Sequence, residues 1–498
     1  MTLQQLLLAP HRTGLGLKAN SAVGKYALIL SDLLALLLAA VLANTVHLLR
    51  PGIEAAGALG LWTEPMGRDR LQILVPLFAL AIAWFWLAGH YTRRRPFWSE
   101  LSEILRVIVM LAAIDAASLY LARLPFSRFW FLGAWLGAIA FIPVLRFLTK
   151  TALLRLGIWQ RPAIVLGSGP NAIDAAAALE SERLMGLKVI AFAIDASTTS
   201  SGKNSITTQG RPIPVTTFHS MEPFILRGFG NTTLVVALEQ GEFERDAQLI
   251  SRLHRFCDDV RVVPPLRGLP LYGSQIHYYF RHELFFLHLG NNLGRRGPRT
   301  LKRAFDICGA AFLLTICLPL FAYLAIRIRE DGDPILFVQQ RIGRNAAPFD
   351  CLKLRSMVTN AEAVLDELLS SDTSALAEWE RDHKLKNDPR VTPVGRFLRK
   401  YSLDELPQLW NVLKGEMSLV GPRPIINSEL ERYGEDADYY LQVKPGMTGL
   451  WQISGRNDID YAERVFLDAW YAKNWSLWLD IVIFFKTVGV VMRSDGAY

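Results

Sequence analysis

Four long apolar runs dominate the first third of the chain: Ala27 to Leu49, Leu71 to His90, Leu101 to Arg123 and Phe129 to Leu148. Each is close to the roughly 20 residues that a helix needs to cross a hydrocarbon core. The pattern therefore predicts an N-terminal four-helix transmembrane bundle within residues 1–155. Buried helices of a soluble protein share this composition, but four in succession read as spans. Lys18 and Lys25 precede the first run, Arg93, Arg94 and Arg95 separate the second from the third, and Lys150, Arg155 and Arg161 follow the fourth. Lysine and arginine concentrate on cytoplasmic ends, which places both ends of the bundle in the cytoplasm. Arg50, Arg68 and Arg70, in the loop between the first two runs, pull the other way.

After Arg161 the pattern changes to short apolar runs broken by glycine turns. "AIVLGSGPNAIDAAAALE" reads as a strand from Ala163 to Leu166, a turn through Gly167 and Gly169, and a helix opening near Pro170. "KVIAFAID" supplies a second strand ending at Asp195, and "TLVVALE" and "VRVVPP" supply more. This is the outline of a Rossmann-like α/β middle domain over residues 156–290. A dinucleotide would place its pyrophosphate on Gly167 and Gly169 and its ribose on Asp195. The acid arrives later than that pattern requires, so a scaffold for regulation or self-association, with a homodimer as its product, is the competing expectation.

A fifth apolar run, residues 304–328, is long enough to span, and simple counting would then put the C-terminal third outside the cell. Basic residues lie on both sides, Arg295, Arg296, Arg299, Lys302 and Arg303 before it and Arg327, Arg329, Arg341 and Arg344 after it. Two cytoplasmic ends follow. Pro319 sits near the middle, where a missing backbone donor favours a break. Residues 291–330 are expected to form a basic linker and a re-entrant membrane helix, with a kinked span as the alternative.

Composition agrees with a membrane protein: 51% of residues are hydrophobic, 20% are charged and the formal net charge is +8. That charge suits anionic lipid, nucleic acid or phosphorylated substrates. Cys257, Cys308, Cys317 and Cys351 show no paired spacing, so reduced cytosolic thiols are expected rather than a zinc site or disulfides. No removable signal peptide is evident at the N-terminus.

Chemistry concentrates in residues 331–498, a mainly helical domain. Arg341, Arg344, Lys353 and Arg355 cluster in "QRIGRNAAPFDCLKLR", Arg396 and Arg399 precede the pair Asp404 and Glu405, and Arg423 and Arg456 sit in "GPRP" and "SGRN". Cations placed singly in Gly/Pro frames suit phosphate ligands, whereas a nucleic-acid surface would interleave exposed aromatics with lysines, so no nucleic acid is expected. Some, especially Arg344 and Arg355, also fit a basic face against lipid. Adjacent carboxylates among such cations suit phosphoryl transfer, in which one acid attacks phosphorus or holds Mg²⁺. Neighbours differ by about 100° around a helix, so Asp404 and Glu405 should have different roles. Two solvated acids in a first helical turn, near Ser402 as cap, would satisfy helix rules equally well.

The motifs "QQRIGRN", "LKLRSM", "DPRVTPVGRFLRKYSLDELPQLWNVLKGEMSLVGPRP" and "KPGMTGLWQISGRN" resemble the catalytic domain of the polyprenyl-phosphate phosphoglycosyl transferases. With the spans and the middle domain, the whole chain resembles the large bacterial members. The resemblance implies transfer of a sugar 1-phosphate from a UDP-sugar to undecaprenyl phosphate, with release of UMP. It makes Asp404 the nucleophile and gives Glu405 metal or proton handling, the pair holding Mg²⁺ as cofactor. It assigns Lys353, Arg399 and Arg423, with Arg341 and Arg456, to phosphates, and Pro319 to the bend of the re-entrant helix. Tyr401 departs from the usual Thr or Ser.

The C-terminal "DGAY" and "RYGEDADYYLQVKPGMTGLWQISGRNDIDY" look most like the galactose-1-phosphate branch, with glucose 1-phosphate as alternative. Such an enzyme is expected in the bacterial inner membrane, multi-pass, its catalytic domain facing the cytoplasm. The closing "NWSLWLDIVIFFKTVGVVMRS" offers an interfacial helix with Trp475 and Trp478 at lipid headgroups. A packed core helix is its alternative. A NAD-dependent sugar-modifying enzyme would explain only the middle domain, and a non-catalytic membrane scaffold only the spans.

Overall fold

The computed structural model describes residues 14–48, 65–123, 127–194, 205–217, 232–245, 259–266, 268–278, 285–290, 292–372, 374–376, 388–455 and 459–493, with a few isolated residues between them. Asp195, Arg456 and the terminal "DGAY" lie outside the described residues. The chain divides into two compact units, Met1–Arg267 and Gly268–Tyr498. Among the described residues, five helices are long and apolar enough to cross a membrane, four of them in the first unit.

Those four helices are Gly14–Leu48, Pro65–Leu87, Phe97–Leu121 and Arg128–Arg155. Lipid supplies no hydrophobic drive between apolar helices, so small residues and buried polar pairs hold them. A Cβ on Gly133 would stand 2.8 Å from Ala43 Cα, so glycine there lets two backbones meet. Arg146 Nε donates to Asp32 Oδ1 at 2.7 Å and its Nη1 to Glu100 Oε1 at 2.7 Å, while Tyr91 donates to Asp32 Oδ2 at 2.7 Å. Arg70, read from sequence as a loop charge, is buried against Asp115 and the Trp130 ring. It is an internal partner rather than a topological signal.

The same unit carries a six-stranded sheet in the order β3-β4-β2-β1-β5-β6. The strands are β1 (Arg161–Leu166), β2 (Leu187–Ile194), β3 (Ser205–Thr208), β4 (Arg211–Thr217), β5 (Thr233–Val236) and β6 (Val260–Val262). All pairings are parallel except β3 with β4, at one edge. The strands expected near residues 163, 188, 233 and 260 are present, and β1 and β5 are buried along their centres because both faces are covered. A helix, Pro170–Ser181, opens after Gly169 with proline in its first turn.

The carboxylate of Glu239 sits at that opening. It accepts from Asn171 N–H at 2.8 Å, and a Cβ on Gly169 would lie 2.6 Å from its Oε1.

In the second unit, β7 (Gln275–Tyr278) and β8 (Phe285–His288) form a hairpin. Residues 268–290 resemble the middle domain in composition, yet Tyr272 N–H donates to Asn474 at 3.0 Å within the C-terminal unit. A long-range hydrogen bond of that kind leaves no mark on local composition.

The helix Arg296–Arg329 follows, and its helical assignment continues through Pro319. Near its start, Lys302 donates to Asp480 at 2.7 Å and Asp306 accepts from Ser418 at 2.8 Å. Near its end, Leu324 and Ile328 pack with Leu354 and Leu398, and Arg355 donates to Ile328 O at 3.1 Å. The middle is apolar and uncovered: Phe312 is 65% and Leu318 67% exposed. Arg355, read as a lipid-facing cation, is a buried cap for this helix.

The last helix, Leu477–Arg493, corrects another expectation. Trp475 is 3% exposed and its Nε1 donates to Asp480 at 3.0 Å, in a core shared with Leu479 and Ile483. Its indole serves the core, because the buried aspartate needs a donor, and not the headgroup zone.

Candidate active site

Two strands place the first cations. β9 (Leu336–Ile342) pairs antiparallel with β10 (Pro348–Leu354), with Lys353 opposite Phe337 and Cys351 opposite Gln339. Side chains alternate across a strand, so Gln339, Arg341, Cys351 and Lys353 share one face. All four line a cavity of about 980 Å³, within the range of small-molecule sites.

The acids reach it from the helix Pro393–Lys400, whose start is closed by Thr392 Oγ1 accepting from Gly395 N–H at 2.9 Å. Ser402 then turns the chain at φ +53°, and Leu403–Glu405 form a single tight turn. Ser402 makes no side-chain cap. Asn411, fully buried on the helix Gln408–Lys414, ties this segment to β10: it accepts from Leu352 N–H at 3.1 Å and donates to Asp350 O at 2.7 Å. Its only sequence signal was a polar residue inside "LWNVL".

Asp404, Glu405, Lys353, Arg341, Arg399 and Arg423 all line the cavity. Lys353 Nζ donates to Glu405 Oε1 at 2.8 Å. Burial favours the neutral acid, but Lys353, Arg423 and Arg341 outweigh it and hold the Glu405 carboxyl below its ordinary pKa. Asp404 moves the other way, since burial and the neighbouring Glu405 charge raise it against the pull of Lys353 and Arg399. Arg399 Nε donates to Ser356 Oγ at 2.9 Å, and Arg341 Nη2 to Gln339 Oε1 at 2.7 Å.

Arg423 is positioned by its backbone. β11 (Ser418–Val420) pairs parallel with β12 (Gly446–Thr448), Gly421 N–H donates to Thr448 O at 2.9 Å, and Tyr440 Oη donates to Arg423 O at 3.0 Å. The Arg423 guanidinium lies 5.7 Å from the centre of the Trp451 ring. Ser356, Trp451 and Gln452 also line the cavity, and sequence reading had not singled them out as site residues.

No group of three or more His, Cys, Asp or Glu suited to a metal occurs among the described residues. Mg²⁺ does not require one, because it keeps several waters and binds through one or two carboxylates together with substrate phosphates. Glu405 has one oxygen on Lys353, and Asp404 makes no ion pair among the described residues, so this pair fits that mode.

A cavity lined by an acid pair and five cations, in a unit that also carries a helix long and apolar enough to cross a membrane, is suited to phosphoryl transfer. The chain belongs to the bacterial sugar transferase family, which it matches over residues 297–494. It is 49% identical to the undecaprenyl-phosphate galactose phosphotransferase of Salmonella typhimurium over 85% of this chain and 87% of that one. It is 46% identical to the UDP-galactose-lipid carrier transferase of Erwinia amylovora, again over 85% and 87%. It is 38% identical to the undecaprenyl-phosphate glucose phosphotransferase of Komagataeibacter xylinus, over 50% of this chain and 46% of that one.

Proposed function

We propose that this protein transfers galactose 1-phosphate from UDP-galactose to undecaprenyl phosphate, releasing UMP, as the first membrane step of O-antigen, capsule or exopolysaccharide synthesis. The observation that carries the reading is the acid pair, split by its surroundings into an ionised Glu405 on Lys353 and a more basic Asp404 among arginines. Asp404 attacks the β-phosphorus, the bond from that phosphorus to the bridging oxygen breaks, and UMP leaves with the electron pair. An oxygen of undecaprenyl phosphate then attacks the phosphosugar-aspartyl group, which returns the Asp404 carboxylate and forms the lipid diphosphate sugar. Lys353, Arg341, Arg399 and Arg423 bind and orient phosphate oxygens throughout. Bound Mg²⁺, held by Asp404 or Glu405 together with the diphosphate, would neutralise phosphate charge.

The reading also assigns the remaining parts. Both ends of the Arg296–Arg329 helix are anchored on one folded unit while its apolar middle is bare, which supports a re-entrant helix with both ends in the cytoplasm. Residues 1–155 then form the inner-membrane bundle and 331–498 the cytoplasmic catalytic domain. The six-stranded sheet serves as a Rossmann-like scaffold, its phosphate seat filled by Glu239. UDP-glucose is the alternative donor, favoured by the Komagataeibacter relative.

The test is the nucleotide product. Purified protein with Mg²⁺, undecaprenyl phosphate and a panel of UDP-sugars should release UMP, fastest from UDP-galactose. Release of UDP, or no release from any sugar, would sink the reading.

A further inference from the structure

The cavity has two walls of different chemistry. Charged groups form one of them: Lys353, Arg341, Arg399, Arg423 and the two acids, with Arg355 and Glu362 also in the lining. A second part of the lining is neutral and comes from β12, the short helix Leu450–Ser454 and the last helix, with Thr448, Trp451, Gln452 and Thr487 among its residues. Phosphates and the nucleophile account for the first wall. Nothing in the proposed chemistry so far uses the second.

Its hydrogen bonds do not balance internally. Thr487 Oγ1 donates to Ile483 O at 2.8 Å, so its single proton is spent, and the 2.6 Å contact between the two hydroxyls has Thr448 as donor. Thr448 Oγ1 is thereby left as an acceptor. Gln452 Nε2 donates to Met447 O at 3.2 Å, while its Oε1 is buried without a partner. Trp451 is 5% exposed, and its Nε1–H is also buried without a partner. A buried polar group without a partner costs about 1–3 kcal/mol, so such groups at a cavity wall are commonly satisfied by what the cavity binds.

We propose that Thr448, Trp451 and Gln452 read the hydroxyls of the transferred hexose; the proposal rests on the transferase reading above. Gln452 Oε1 is an acceptor without a partner, Trp451 Nε1–H is a donor without one, and the Thr448 hydroxyl keeps the capacity to accept. A hexose presents several hydroxyls, each able to donate and to accept, and satisfies that set. Uracil and ribose carry donors and acceptors too, and it is position that separates the hexose from them. Position agrees with chemistry. The Arg423 guanidinium stands over the Trp451 ring at 5.7 Å, which places this wall beside a phosphate-binding cation. The hexose is bonded directly to the β-phosphate, whereas uracil is separated from it by ribose and the α-phosphate. Rotation about its soft terminal torsion brings Gln452 Oε1 to a hydroxyl and gives up the Nε2 bond to Met447 O.

The experiment uses the full chain with Mg²⁺ and undecaprenyl phosphate, comparing Thr448→Val, Trp451→Phe and Gln452→Met. UMP release is measured from UDP-galactose and UDP-glucose, together with inhibition by UMP and thermal unfolding. Loss of one hydrogen bond to a substrate hydroxyl lowers kcat/KM for the preferred sugar about 10-fold, and the galactose-to-glucose ratio shifts in at least one variant. UMP inhibition stays as in the parent, and Thr448→Ser restores activity lost in Thr448→Val. Weakened UMP inhibition in step with kcat/KM would assign the wall to the base and overturn the proposal. Unchanged kinetics and sugar ratio in folded variants would overturn it as well. Should Trp451→Phe unfold, the two smaller variants decide alone. If the parent releases no UMP from any UDP-hexose, the transferase reading fails first and takes this proposal with it.

Discussion

Lys353 Nζ lies 2.8 Å from Glu405 Oε1, and that contact holds down the pKa of one of two adjacent acids. Glu405 is held ionised, while Asp404, next to it and buried, becomes harder to ionise. A more basic carboxylate is a better nucleophile once its proton is gone, so the division of roles follows from burial and the Glu405 charge at Asp404 and from the Lys353 contact at Glu405.

Removing that lysine should uncouple the pair. Lys353→Met leaves the partly buried Glu405 without its cation and removes a phosphate donor, so UMP release should fall on the order of 10² to 10³-fold. Steady-state kinetics on folded protein checks this. Activity within a few-fold of the parent would mean that the pair is structural.

Asp404 is expected to carry the covalent intermediate. Incubation with Mg²⁺ and UDP-galactose without lipid acceptor, rapid quenching and peptide mass spectrometry should find a hexose-phosphate on Asp404. Asp404→Asn should lose adduct and turnover together, and Glu405→Gln should retain some adduct. An adduct on Glu405 would reverse the assignment.

The acid limb of adduct formation follows the same electrostatics. Asp404 attacks only when ionised, so the rate should fall as pH drops through its raised pKa. Glu405→Gln removes the neighbouring negative charge and frees Lys353, and both effects ease ionisation of Asp404. The limb should therefore move to lower pH in that variant, as read from quench-flow rates across pH. A shift upward would contradict the role given to Glu405.

The helix Arg296–Arg329 should keep both ends in the cytoplasm. Single cysteines at Gly297 and Gly332, in a background without the four native thiols, should both resist an impermeant thiol reagent in intact cells and react after lysis. Labelling of only Gly332→Cys before lysis would show a full crossing.

The glycine turn of the sheet should prove structural. Gly169→Ala would push a methyl to within 2.6 Å of Glu239 Oε1 and should cost roughly 1–3 kcal/mol of stability, with transfer retained by folded protein. Thermal unfolding and UMP release test both halves. Tight NAD or NADP binding to the full chain would show instead that Glu239 yields its place to a pyrophosphate.

Local order was legible in the sequence wherever one-dimensional patterns carry it. Apolar runs marked the helices at 14–155 and 296–329, since length and apolarity alone decide whether a helix can cross lipid. Gly167 and Gly169 marked a strand-turn-helix, and "YSLDELPQ" marked the acids. What the neighbours do was not legible. Arg355 looked like a surface cation and is a buried helix cap; Trp475 looked interfacial and belongs to the core; Arg70 looked like a loop charge and is packed on Trp130. Asn411 gave little sign that it pins β10, and Glu239 gave none that it would accept from Asn171 N–H at the opening of a helix far earlier in the chain. Periodicity and composition record each residue's own preference for water or lipid. Hydrogen-bond partners, charge coupling and access to a cavity depend on segments brought together from far apart, and only the tertiary structure decides those.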